Sequence, residues 1–279
     1  MTMLLATLVG LVVAYAAVAV IIDPRGIFST GVFPVVVWDS RQEKMRLFSK
    51  FNEASPVECI VLGSSRAMKV SPQQVERETG LRTFNFCVDS ARSEDYLAIY
   101  RWVSSRSPRL KTMLIGLDVE ALHCDDEFDR RLTSNAQLMS GLDDTAEPGP
   151  STRSCPALSL VSTVMSVPYA RDMASSLRVL LSSSRPRNQL EDDGYLHYTE
   201  WEQARQRGSL DLAENIKASY EEYRRRFGGM SALSPQRERM LRQLLHAARK
   251  DGLEVAVWIT PIHPAVATYI SAGTHYTQV

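Results

Sequence analysis

The sequence lacks most of the features that usually reveal a partner. Its 32 Lys and Arg residues offset 32 Asp and Glu residues to a formal net charge of zero, and no Lys/Arg block stands out. A nucleic acid needs a basic stripe to neutralise its phosphates, so no nucleic-acid partner is expected. Cysteine is scarce, and Cys59, Cys87, Cys124 and Cys155 show no C-x-x-C spacing, which argues against a zinc knuckle or a dithiol redox centre. Cys59 and Cys87 sit in apolar, strand-like runs and read as small core residues. Cys124 and Cys155 lie in loop-like sequence and could pair in an oxidising compartment. No internal repeat is apparent. Charge is missing altogether from Met3 to Ile22 (MLLATLVGLVVAYAAVAVII), and no basic residue precedes that run.

About twenty uncharged residues at ~1.5 Å each span the roughly 30 Å hydrocarbon core of a bilayer. A cleaved signal peptide is the competing reading, with Ala14-Tyr15-Ala16 resembling a processing site. The apolar run continues past that point and no basic segment opens it, so residues 1–22 are expected to be a retained, single-pass anchor in the lipid bilayer. The positive-inside rule has nothing to count ahead of the run, and Arg25, Arg41 and Lys44 behind it mildly oppose export. Residues 23–56 read as a connector, with an apolar patch at Val32–Trp38 packing on the domain edge.

The organising stretch is Val57–Lys69 (VECIVLGSSRAMK): a short β-branched run closed by Gly63, then two hydroxyls on a tight turn. Ser71 fits the N-cap of a following helix, Pro72 its first position, and Gly80 its C-cap. Leu81–Val88 reads as a second strand, Arg92–Ser104 as an amphipathic helix and Lys111–Asp118 as a third strand. Strands alternating with helices predict an α/β fold with a doubly wound parallel sheet. From about residue 124 to 200 the pattern breaks, with Glu147-Pro148-Gly149-Pro150 and a serine-rich run around a helix near Pro168–Leu181. This segment reads as an insertion covering the functional edge of the sheet. Helical sequence from about Trp201 to Arg226, a helix opened by Ser234-Pro235 and closed by Gly252, and a fourth strand at Leu253–Thr260 complete the domain from residue 57 to 279.

The pieces Leu62-Gly63-Ser64-Ser65-Arg66, Phe84-Asn85-Phe86, Gly194-Tyr195 with Trp201, and Ile259-Thr260-Pro261-Ile262-His263-Pro264 together resemble the SGNH (GDSL-type) esterases and acyltransferases. The likeness covers most of residues 23–270 and is closest to membrane-anchored proteins of bacterial envelopes that add or remove acyl groups on polysaccharide. It implies a flavodoxin-like α/β/α domain held outside the cytoplasm, with no cofactor. Polysaccharide or an acyl-donor membrane protein would be its partner. On this resemblance Ser65 is the nucleophile, and Cys87, Ser90 and Asp118 lie at the oxyanion or rim. Ser64, Arg66 and Asn85 would contact substrate, and His263 would be the base.

The departures from that pattern are specific. No glycine follows Asn85 before Ser90, and Asp118 stands where an asparagine is expected, although an ionised carboxylate cannot donate to an oxyanion. No Asp-x-x-His occurs after the serine; His263 and His275 remain, neither with an aspartate three residues before it. Little esterase activity is therefore expected of these residues. An inactive carbohydrate-binding or envelope-assembly protein, or a shortened form of a longer enzyme, stays open beside the enzyme reading. His123 with Cys124, Asp125, Asp126 and Asp129 has the composition of a metal cluster but reads as a solvated acidic loop, so no metal is expected.

Overall fold

The structure is a computed structural model and describes residues 2–28, 30–34, 36, 39–124, 127–142, 161, 164–182, 189–227, 232–265 and 267–268. In chain order its first elements are α1 (Thr2–Ile22), α2 (Ser40–Ala54), β1 (Cys59–Gly63), α3 (Pro72–Thr79), β2 (Thr83–Asn85), α4 (Ser93–Ser104) and β3 (Thr112–Leu117). The short helices α5 (Arg130–Thr133) and α6 (Ala136–Met139) follow, then α7 (Val167–Ser182). A two-stranded hairpin of β4 (Gln189–Leu190) and β5 (Leu196–His197) leads to α8 (Thr199–Gln206), α9 (Leu212–Phe227), α10 (Pro235–Lys250) and β6 (Glu254–Ile259). Single 3₁₀ turns occupy Ala67–Lys69 and Val119–Leu122.

These elements fall into two compact units, Met1–Asp39 with Glu147–Pro186, and Ser40–Ala146 with Arg187–Val279. In the first, the C-terminal end of α1 packs on α7, burying Ala19, Ile22, Tyr169 and Met173. Tyr169 Oη donates to the Ala19 carbonyl at 3.3 Å, and Arg25 pairs with Asp172 at 2.6 Å. Helix α7, predicted within an insertion over the sheet, therefore belongs to the unit built with α1. Residues 143–160 of that insertion, with Cys155, lie outside the described residues. Among the described residues no helix is long and apolar enough to cross a membrane. Helix α1 has 21 residues and no charged side chain; the side chains of Leu4, Leu5, Ala6, Leu8, Val9 and Leu11 are outside the described set.

The second unit is α/β, with a wholly parallel four-stranded sheet in the order β2-β1-β3-β6. The chain steps from β1 outward to β2, then returns past β1 to β3, as in a doubly wound sheet. The strands coincide with the predicted apolar runs, shortened by one to three residues at their ends except that β1 runs on to include Gly63. Helix α3 has the predicted caps: Ser71 Oγ accepts from the Gln74 amide at 3.2 Å, and Gly80 closes the helix at φ 70°. Ser234 caps α10 in the same way, accepting from the Arg237 amide at 3.3 Å. The helical run expected from Trp201 to Arg226 is instead two helices, broken where Gly208 takes φ 66°.

Residues 40–54, placed by sequence in a connector, form α2, which is part of the sheet unit. Phe48 packs edge-on against Phe84 at 5.2 Å and Trp102 at 5.5 Å in the main core. Beside Phe48 the same helix buries two cations, Arg41 and Lys44. Arg41 makes a bidentate pair with Asp95 of α4 at 2.7 and 2.9 Å. A second buried pair joins α10 to α4: Arg237 Nε and Nη2 reach the Glu94 carboxylate at 2.9 and 3.0 Å, with neither side chain more than 1% exposed. Arg237 also donates to the carbonyls of His123 and Glu127, so it fixes the loop after β3 as well.

Removing one partner from such a pair strands a charge in the interior, at a cost of about 3–5 kcal/mol. Glu94→Gln is expected to lower the unfolding free energy by that order, seen as a lower urea midpoint with little change in slope. Arg237→Met in the same chain should recover part of the loss, because the stranded cation is gone although the two carbonyls stay uncapped. Equal stability of Glu94→Gln and the parent protein would show that the pair is not structural.

Candidate functional site

The site begins with a close approach that only glycine permits. Gly63, the last residue of β1, lies beside Gly116 of β3, and a Cβ on Gly63 would sit 2.6 Å from the Ala67 Cβ. The missing side chains let the Ser64–Lys69 turn fold down onto the end of the sheet. That end is the carboxyl edge, at the point where the strand order reverses, the usual place for a ligand in an open α/β sheet.

A cleft of about 240 Å³ opens there, lined by Ser64, Ser65, Arg66, Asp89, Ser90, Glu120, Glu222 and Tyr223. Its walls come from the segments after β1, β2 and β3, and from α9. Ser65 is half-buried, and its Oγ and amide have no hydrogen-bond partner among the described residues. Its carbonyl accepts from Tyr198 Oη at 3.1 Å. The Ser90 amide is likewise unpaired among the described residues, and Ser90 holds φ 52°. A left-handed serine is disfavoured by about 1–2 kcal/mol. Ser90 thus takes, without a glycine, the turn for which the resemblance called for one.

Arg66 spans the cleft floor. Its Nη1 donates to Asp118 Oδ1 at 2.7 Å, its Nη2 lies 3.6 Å from Glu120, and its guanidinium sits 5.0 Å from the Tyr223 ring centre. Asp118 is 2% exposed; its Oδ1 also accepts from Thr260 Oγ1, while Oδ2 is buried without a partner among the described residues. Asp118 is thus the counter-ion of Arg66 and no oxyanion donor. Asp89 is held by its amide to Ser40 Oγ at 2.9 Å, and burial raises its carboxyl pKa against the pull of Arg131.

Two of the expected substrate or oxyanion groups are committed elsewhere. Asn85 is fully buried, and its Nδ2 donates to the carbonyls of Ala67 at 3.0 Å and Val70 at 2.8 Å. Its Oδ1 accepts from the Cys87 amide at 3.0 Å, so that amide has no free hydrogen for a ligand. Burial pushes the Cys87 thiol up to about 12, which keeps it an unreactive core group at neutral pH. Lys44 Nζ reaches the Asn85 carbonyl at 2.8 Å and Oδ1 at 3.2 Å, and burial pulls its pKa down to about 8.

His263 follows β6 on the same carboxyl edge but does not line the cleft. The Ala265 amide donates to its Nδ1 at 3.2 Å. A backbone N–H can only donate, so the neutral ring carries its proton on Nε2. A serine-activating histidine needs the opposite tautomer, with Nδ1–H held by an acid and Nε2 free to accept. His275 lies outside the described residues, as do Asp125 and Asp126. Sequence reasoning missed Glu222 and Tyr223, which reach the cleft from a helix far along the chain, and Tyr198. No local signal marks any of them.

Asn85 and Ser65 should separate cleanly in a stability measurement. Asn85→Ala leaves buried carbonyls and the Lys44 cation short of a partner, at about 1–3 kcal/mol for each orphaned group. A total loss of about 3 kcal/mol or more in denaturant unfolding is expected. Ser65→Ala removes an unpaired, half-exposed hydroxyl and should stay within about 0.5 kcal/mol of the parent. Comparable losses in both variants would contradict these assignments. Comparison of the chain with protein-family models, with curated proteins and with solved structures finds no match in any of the three.

Proposed function

We propose that the chain is a membrane-anchored, SGNH-like esterase or O-acyltransferase acting on ester groups of cell-envelope polysaccharide, with Ser65 as nucleophile. The supporting observation is the Ser65 hydroxyl at the strand-order reversal, with the Ser65 and Ser90 amides in the same cleft, all three unpaired among the described residues. Backbone amides free of internal partners are the groups that stabilise an oxyanion. In this reaction Ser65 Oγ bonds to the ester carbonyl carbon while its proton passes to a base. The intermediate collapses with the sugar oxygen leaving as an alcohol, and the acyl-serine passes its acyl group to water or to a second hydroxyl. The lining of hydroxyls, carboxylates and one tyrosine ring suits a polyhydroxylated ligand and offers no apolar channel to a long acyl chain. Among the described residues no histidine lines the cleft, and His263, the expected base, stands outside that lining.

The tautomer of His263 favours a second reading, in which the cleft binds envelope carbohydrate without turning it over. A fluorophosphonate probe separates the two. The expected result is slow labelling, since among the described residues no base touches Ser65, abolished by Ser65→Ala and unchanged by His263→Ala. No labelling, together with retention of acetylated polysaccharide that Ser65→Ala leaves intact, would select the binding protein.

The same proposal places α1 in the bilayer. Over 21 residues it carries no charge, and at ~1.5 Å per residue it is about 31 Å long. The flavodoxin-like α/β/α domain would lie outside the cytoplasm, single-pass, with an acyl-donor membrane protein as a natural partner. Fractionation should recover the chain in membranes, and protease added to spheroplasts should remove the domain. A soluble product starting near Ala17, or a domain protected from protease, would refute the placement.

A further inference from the structure

Beside the cleft, outside its lining, a cluster of titratable groups surrounds His197 on the β4–β5 hairpin. His197 Nε2 lies 2.5 Å from Glu191 Oε1, and Nδ1 lies 3.4 Å from Glu202 Oε2 of α8. Lys69, in the turn that follows Ser65, pairs with Glu202 and donates to Tyr195 Oη at 3.4 Å. Gln73 of α3 donates to the second Glu191 oxygen at 3.4 Å, and the Tyr195 ring meets the imidazole edge-on at 5.0 Å. The groups facing the imidazole are therefore two carboxylates, with one ammonium beyond them and one phenol ring. The residue after His197 is Tyr198, whose hydroxyl holds the Ser65 carbonyl.

We propose that His197, Glu191 and Glu202 form a proton-dependent clamp that seats Tyr198 on Ser65, making Tyr198 the positioning residue of the serine turn. A protonated imidazole donates to both carboxylates at once. A neutral one has a single N–H, so one carboxylate must face a lone pair. The Tyr198 hydroxyl is a dependable donor across this range, because burial pushes its pKa up to about 12. Glu191, then Glu202, raises the His197 pKa above its ordinary 6.5. The clamp is fully formed below that ordinary value and is lost as pH rises through the raised one. Its functional meaning rests on the reading of the Ser65 cleft, but its existence does not.

Hydrogen exchange of the full chain at pH 5.5 and 8.5, corrected for intrinsic rates, tests it without any demand on activity. In the parent protein, residues 64–70 and 189–206 should both be better protected at the lower pH, by about two- to five-fold for partly exposed ion pairs. His197→Gln should abolish that pH dependence in both segments, and Glu202→Gln should weaken it, which guards against a misfolded single variant. Tyr198→Phe should keep the dependence at 189–206 and lose it at 64–70. A pH dependence that survives His197→Gln, or a Tyr198→Phe profile identical to the parent at 64–70, would overturn the proposal. Loss of fluorophosphonate labelling with the exchange pattern intact would instead count against the esterase reading alone.

Discussion

The rim of the sheet is held together by one buried amide. Asn85 ends β2, and each of its polar atoms ties down a different piece of chain. Its Nδ2 gathers the carbonyls at both ends of the 3₁₀ turn after Ser65, its Oδ1 fixes the start of the Cys87–Ser90 segment, and its amide donates to the Asp193 carbonyl at 2.9 Å. Lys44 of α2 supplies the charge that completes the set. Gly194 then packs so close that a Cβ there would lie 2.2 Å from the Asn85 carbonyl oxygen, at φ 83°. No other side chain could be fitted without moving the hairpin that carries His197 and Tyr198. The Ser65 turn, the second rim segment, α2 and the hairpin are thus referenced to a single side chain. A buried network of this kind is worth having only when every member is satisfied.

Charge is used in the same way, as fixed geometry more than as net attraction. Burying an ion costs several kcal/mol that its partner only roughly repays, so apolar replacements would hold α2 and α10 to α4 about as well. What Arg41–Asp95, Arg237–Glu94 and Lys44–Asn85 add is register. A helix that slid by one turn would lose two directional hydrogen bonds and leave a charge unpaired. An apolar stripe would merely repack. Arg66 with Asp118 extends the same device into the cleft, where the cation stays partly open to a ligand and its counter-ion does not.

How much of this was legible in the sequence depends on what each residue does physically. All four strands read as short apolar runs: β1 and β2 are buried on both faces, whereas β6 keeps its run although Val257 and Ile259 are exposed. The caps at Ser71, Gly80 and Ser234 were plain because capping is local chemistry. Helix α2 was missed because its inward stripe contains Arg41 and Lys44 beside Met45 and Phe48; a search for apolar periodicity does not register a buried cation whose partner lies elsewhere in the chain. Ser65, Ser64, Arg66 and Ser90 were legible as turn residues after strands. Asn85 was seen to matter, but its role depends on carbonyls supplied by other segments, which sequence does not display. His197 carries no local signal for the same reason: only the fold brings Glu191 and Glu202 to either side of its ring.

Serine chemistry makes two separate demands, and the chain meets them unequally. An oxyanion site needs donors that are already unpaired and already aimed, because reorganising them during reaction would consume the benefit. The Ser65 and Ser90 amides, one braced through Tyr198 and the other set by a disfavoured backbone angle, have the first property among the described residues. The base makes a different demand, for a lone pair within about 2.6–3.2 Å of the hydroxyl. His263 has its available lone pair turned into its own backbone. A strained Ser90 would confer no advantage on a turn that merely joined a strand to a helix. The positive φ of Ser90 and the amides unpaired among the described residues fall on the same cleft wall, which is why the proposed serine chemistry is placed there.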